Sequence, residues 1–207
     1  MLSASEKNKI LRFAEKKVSA AFRVHNVPAH DLAHIKRVRN WAVKIARAEG
    51  ADVFLCELAA LLHDAGRSKE KTCSLVSHFH HEASYQICRE WFKNEPVFHS
   101  LSKRQKSALL YAVRYHWNDA ADKYKIAWIL RDADKLELFG KIGLKRAEQF
   151  NRGDQKRFEL DLRLRYYNYY WLRTKTAQKI AAKMEKDYPV ARRLIPILKK
   201  QIRPVIL

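Results

Sequence analysis

Apolar residues recur every three or four positions along most of the chain, the period of amphipathic helices. Ile10, Ala14, Val18, Ala21 and Phe22 set one such stripe over residues 5–24, and "NVPAHD" interrupts it. Ile35, Val38, Ala42, Ile45 and Ala46 set a second over about 29–49, with Gly50 as its stop. Asp52 is placed to cap a third helix, 53–64. That segment is apolar nearly all round, which predicts burial. A polar loop, 67–79, follows Gly66. Further helices are expected at about 80–93, at 102–116 behind a Ser102 cap, at 122–139 before Gly140, and at 141–151. A long one is expected over 157–187 and a last one from Pro189 to about 201. No segment alternates like a strand and nothing repeats. The expected fold is all-α, one domain over 1–207, with the break near 151–156 setting off a C-terminal helical extension over about 157–207.

Composition changes this picture in two respects. With only 5 Gly and 5 Pro in 207 residues, there is little punctuation for a many-turned sheet protein. The net charge of +20 draws anions: phosphorylated small molecules, nucleic acid or an anionic surface. The three cysteines, Cys56, Cys73 and Cys88, form no CxxC pair, which fits a reducing, cytoplasmic setting. No apolar run approaches the ~18 residues of a membrane span, and the first residues lack the apolar core of a signal peptide.

"LLHDAG" (61–66) raises the chemical question, because an Asp at the end of so apolar a run is costly to bury unless it is paired or bound to a metal. Imidazole and carboxylate together suit divalent ions such as Zn, Mn and Fe. The chain offers His34 on the second helix, the His63-Asp64 pair ending the third, and Asp132 and Asp134 in "ILRDADKLELFG". Converging helices can bring such groups to one point, as in bundle-core metal sites.

Three stretches, "HDLAHIKRV" (30–38), "LAALLHDAG" (58–66) and "LRDADKLELFG" (130–140), resemble the HD-domain superfamily of metal-dependent phosphohydrolases. Within it, the chain is most similar to the small single-domain predicted hydrolases. The pattern is a His, then a His-Asp pair, then an Asp in an "ADxL" context, all within about residues 28–145. The resemblance implies a helical bundle of the HD type with extra C-terminal helices. It implies His34, His63, Asp64 and Asp134 as ligands of a divalent ion (Mn, Mg, Fe, Co, Ni or Zn), with His63 and Asp64 as the catalytic pair. Asp134, not Asp132, aligns with "ADxL". The two lie about 200° apart on a helix, so Asp132 is expected to support a ligand or to be a packing group. Some HD proteins hold a second ion through two further histidines. Here His80, or its neighbour His81, and His116 stand in the matching order. One tightly held ion is the expectation, with these histidines otherwise lining the mouth of the site and touching phosphate.

The chemistry this implies is attack by a metal-activated water on phosphorus, with no Ser or Cys nucleophile. Asp64 would orient or deprotonate the water, and Glu70 is a further candidate base. Arg37, Arg67 and Lys135 are candidate phosphate contacts, and His30, one turn before His34, a candidate support for the ligands. The implied substrate is a nucleotide or a related phosphorylated small molecule. Two other readings compete: a di-iron oxygenase of the same fold, and a nucleic-acid-binding module whose metal site is structural or vestigial. The second draws on the basic C-terminal region, where "RLRYYNYYWLR" (163–173) interleaves Arg with aromatics. Packing of those rings on the domain, polar tips outward, is the expected role.

Overall fold

A computed structural model describes residues 2–24, 32–69, 79–151 and 153–186, in which helices occur and no strand. The helices are α1 (Ala4–Val24), α2 (Leu32–Ala48), α3 (Val53–Leu62), α4 (His80–Asn94) and α5 (Lys103–Tyr115). α6 (Lys125–Lys135), α7 (Gly140–Asn151), α8 (Gln155–Tyr170) and α9 (Lys175–Lys186) complete the series. The fold is all-α, of the expected class. The "NVPAHD" break, most of the 67–79 loop, the helix from Pro189, and the individual positions His30, Glu70 and Cys73 lie outside the described residues.

Local chemistry sets several helix ends. The Asp52 carboxylate accepts the Leu55 N–H at 3.0 Å and starts α3. Ser102 and Gln105 form a reciprocal capping box at the start of α5. α3 is buried on nearly every side and packs against α1, α2, α5 and α6. Leu58, Leu61 and Leu62 meet the inward stripe of α2 (Ile35, Val38, Ala42, Ile45) and Ile129 and Leu130 of α6 in one core. Each such side chain contributes roughly 1.5–3 kcal/mol by leaving water. Because α3 is central, the residues that follow it end inside the protein. Cys56 and Cys88 are buried thiols, both pushed up by desolvation, Cys56 to about 12 and Cys88 higher still, and are chemically quiet.

Two expected elements differ in the structure. The third helix stops at Leu62, His63 and Asp64 turn out of it, and Ala65–Lys69 form a short 3-10 turn. The turn lets Gly66 meet the first turn of α4: its N–H donates to Ser84 Oγ at 2.8 Å. A Cβ at Gly66 would lie 2.4 Å from the Ser84 nitrogen and 2.5 Å from the His80 carbonyl oxygen. Gly66→Ala is therefore expected to push α4 away, lowering stability by about 1–3 kcal/mol and displacing His80. Thermal unfolding and the metal content of the purified variant check this.

The single helix expected over 157–187 is two, α8 and α9, separated at Trp171–Thr174. Thr174 Oγ accepts the Ala177 N–H at 3.2 Å as the N-cap of α9. Asp132, 42 residues earlier in the chain than Thr174, accepts from Thr174 N (2.7 Å), Thr174 Oγ (2.6 Å) and Arg173 N (3.0 Å). Glu49 accepts from Thr176 N and Thr176 Oγ at 3.0 and 2.6 Å. These acceptors come from distant elements, and the periodicity of 157–187 contains no trace of them. Of the aromatic run, Tyr167 and Tyr169 pack against the core, Tyr169 edge-on to Phe139 at 6.3 Å, while Tyr170 and Trp171 are exposed. No described helix is long and apolar enough to cross a membrane.

Candidate metal centre

The buried end of α3 delivers His63 and Asp64 to the point where α2, α4, α5 and α6 converge. His34 projects from the first turn of α2 and Asp134 from the last turn of α6. His80 opens α4, and His116 closes α5. The Asp64 carboxylate stands between two groups. Its Oδ2 lies 3.6 Å from Nε2 of both His34 and His63. Its Oδ1 lies 3.6 Å from Nε2 of His80 and 3.8 Å from that of His116. Asp134 Oδ1 closes the first group, 3.4 Å from His34 Nε2 and 4.0 Å from His63 Nε2. Two trios result: His34, His63 and Asp134, and Asp64, His80 and His116.

Tautomers follow from the neighbouring carbonyls, which only accept. His63 Nδ1 lies 2.8 Å from the Ala60 oxygen and His116 Nδ1 2.7 Å from the Val113 oxygen. Each Nδ1 therefore carries the proton and each Nε2 presents a lone pair to the centre. His63 Nε2 is buried with no hydrogen-bond partner. The Nε2 atoms of His80 and His116 approach to 3.2 Å. Donor atoms around one ion with bonds near 2.1 Å stand about 3.0–3.4 Å apart in octahedral or tetrahedral arrangements. Converging imidazole lone pairs beside carboxylate oxygens thus fit a divalent first-row ion. Burial raises the Asp134 carboxyl, but the imidazoles of His34 and His63 more than offset this and hold it below the usual range, ionised and fit to ligate. Its side chain is 32% exposed against 2% or less for His34, His63 and Asp64, so the centre opens on the Asp134 side.

Burial, and then the neighbouring His63, push the His116 imidazole down to about 4. An ordinary imidazole titrates near 6.5. Between those values the unfolded chain takes a proton that the folded chain refuses, so stability is full above about 6.5 and falls as pH drops toward 4. Metal-free protein is expected to lose up to about 3 kcal/mol from this group over that window. His116→Gln should flatten the slope in denaturant unfolding measured across it.

The other expected site residues are distributed as follows. His81 lies outside both trios, so His80 is the member of that pair at the centre. Arg67 donates from Nε to Asp64 Oδ2 at 2.8 Å, and its Nη2 lies 3.3 Å from His80 Nε2. Lys135 is ion-paired with Asp119. Arg37 donates to Glu137 Oε2 at 2.7 Å. Asp132 holds the start of α9. Glu137 is the residue that sequence reasoning missed. It is buried, and its Oε2 lies 3.6 Å from His34 Nδ1, the ring face away from the centre. Burial raises this carboxyl, but His34 and Arg37 together bring it below its ordinary range. An ionised carboxylate behind an imidazole fixes the ring and raises its basicity as a ligand. The available signal was a lone Glu inside the apolar "LELFG", three residues after Asp134.

Residues 31–138, just over half of the chain and inclusive of both trios, match the HD domain family. The chain belongs to that family. An uncharacterized protein of Acanthamoeba polyphaga mimivirus is 28% identical to this HD protein over 174 residues, 79% of this chain and 67% of that one. Among solved structures, Bacillus subtilis YpgQ in complex with ADP superposes with a TM-score of 0.67 at 20% identity, over 96% of both chains. A predicted HD superfamily hydrolase from an uncultured Thermotogales bacterium gives 0.65 at 24% identity, over 92% of both. At these identities the structural likeness establishes the fold.

Proposed function

We propose that this HD protein is a metal-dependent phosphohydrolase acting on a nucleotide or a related phosphorylated small molecule. The observation that carries this reading is the Asp64 carboxylate set between two pairs of imidazoles, Oδ2 toward His34 and His63 and Oδ1 toward His80 and His116, with Asp134 beside the first pair. The ligand set is His34, His63, Asp64 and Asp134, with His80 and His116 completing it. The second trio favours two ions over the single ion that the sequence suggested. Bound divalent ions supply charge neutralisation at the phosphoryl group and an acidified water. Asp64 fixes the spacing of the two halves and accepts a hydrogen bond from the attacking water, orienting it toward phosphorus. Glu137 and the Ala60 and Val113 carbonyls hold the His34, His63 and His116 rings in place. Arg67, anchored on Asp64, sets a guanidinium charge beside the centre that attracts phosphoryl oxygens. Arg37 and Lys135, engaged by Glu137 and Asp119, take structural roles. The solved complex of YpgQ with ADP supports a nucleotide as the substrate, and the net charge of +20 suits an anionic one.

The test is a phosphate-release screen over nucleoside mono-, di- and triphosphates and cyclic nucleotides, with Mn, Mg, Co, Ni and Fe supplied in turn. Turnover dependent on added metal is expected. Two irons per chain with oxygen uptake and no phosphate release would replace this reading with the oxygenase one. Salt-sensitive RNA or DNA binding without turnover would replace it with the binding module.

A further inference from the structure

On the phosphohydrolase reading of the centre beside it, we propose that Trp117 and His81, with Phe79 at their edge, form a stacking surface for the aromatic base of the substrate. Trp117 and His81 directly follow His116 and His80, whose Nε2 atoms meet at 3.2 Å in the second trio. One residue advances the backbone by only about 3.8 Å, so the rings hang from positions adjoining those of the candidate ligands, and the His80 and His81 ring centroids are 5.6 Å apart. The ring centroids of His81 and Trp117 are 5.1 Å apart at a 41° tilt, and Phe79 lies 6.3 Å from His81.

Phe92, Phe98 and Phe139 are buried, whereas Trp117 is 56% and Phe79 61% exposed; Trp171 is as exposed, but it stands at the end of α8 and not beside a candidate metal donor in the chain. With His81 against it, the Trp117 indole still turns much of its surface to water. Leaving it there forgoes the stabilisation that burial would bring, and the metal centre itself has no need of it. The phosphate end of the substrate would be met by cations, an ion held by the imidazole and carboxylate donors and the Arg67 guanidinium, all of which stand elsewhere in the centre. An aromatic base needs a flat apolar partner, and every base has a π-face to offer. The patch is a few side chains wide. A protein partner would bury about 800 Å² on each side, whereas this surface matches a single base.

The test compares two non-hydrolysable probes by calorimetry with Mn²⁺ present: adenosine 5′-(α,β-methylene)diphosphate, and methylenediphosphonate, which has the same phosphorus skeleton without the nucleoside. Base–aromatic stacking is worth about 1–3 kcal/mol per base, or about 5- to 150-fold in affinity. The wild-type protein is expected to prefer the nucleoside probe by a factor in that range. In Trp117→Ala the ratio of the two affinities should fall toward one, and Trp117→Phe should restore most of it. Equal wild-type affinities for both probes, or a ratio unchanged in Trp117→Ala, would overturn the stacking surface and leave the phosphate centre standing. Failure of the wild-type protein to bind either probe would overturn the reading of the centre itself.

Discussion

Asp64→Ala is expected to abolish metal-dependent hydrolysis while the helical content read by circular dichroism stays near wild type. The carboxylate faces both pairs of imidazoles, Oδ2 toward His34 and His63, Oδ1 toward His80 and His116. Its loss removes a donor from each half at once and releases the Arg67 guanidinium that it anchors. Removing an outer contact to a ligand already lowers affinity or activity by about 10–100-fold, and a shared donor should cost more. His63→Ala is expected to be comparably inactive, since it deletes an unpartnered buried lone pair aimed at the centre. The helices survive because the core around α3 is built from Leu58, Leu61 and Leu62, which neither change touches. Wild-type turnover in both variants would remove the assignment.

The adjacent pair Asp132 and Asp134 should separate stability from metal affinity. Asp134→Ala is expected to release metal with little change in unfolding midpoint, because its carboxylate is the partly open member of the first trio. Asp132→Ala is expected to do the reverse. It strips a buried acceptor from Thr174 N, Thr174 Oγ and Arg173 N. Leaving such donors unsatisfied costs about 1–3 kcal/mol each when they stay buried, so a loss of several kcal/mol is expected at nearly unchanged metal content. Elemental analysis and thermal unfolding of the two variants side by side decide the matter. Metal lost with Asp132→Ala alone would show that the roles are exchanged.

The helices were legible because each announces itself locally. The stripe from Ile35 to Ala46, the Asp52 cap and the Ser102–Gln105 box all lie within a few residues of what they determine. The convergence of His34, His63-Asp64 and Asp134 was legible through their order and motif context. Between His80 and His81 the sequence left the choice open, and it is His80 that joins the second trio. What stayed hidden depends on partners far away in the chain. Arg37 and Glu137 are 100 residues apart, and nothing near either one announces the pair. Lys135 looked free because Asp119 sits 16 residues earlier, in the turn that precedes α6. The helix over 157–187 looked continuous because Asp132 and Glu49, which fasten the start of α9, belong to distant segments.

The fastening of α9 also separates two boundaries that are easily equated. The family match ends at residue 138, after all six candidate metal donors have been passed. A chain cut there would keep the whole motif yet leave Asp132 buried without Thr174 and Arg173, Glu49 without Thr176, and Glu137 without Arg146. Every one of those carboxylates lies on a helix, turn or helix end adjoining the elements that carry His34 and Asp134. The smallest piece able to hold the donors in place is therefore longer than the smallest piece that contains them, and it extends at least through the first turn of α9.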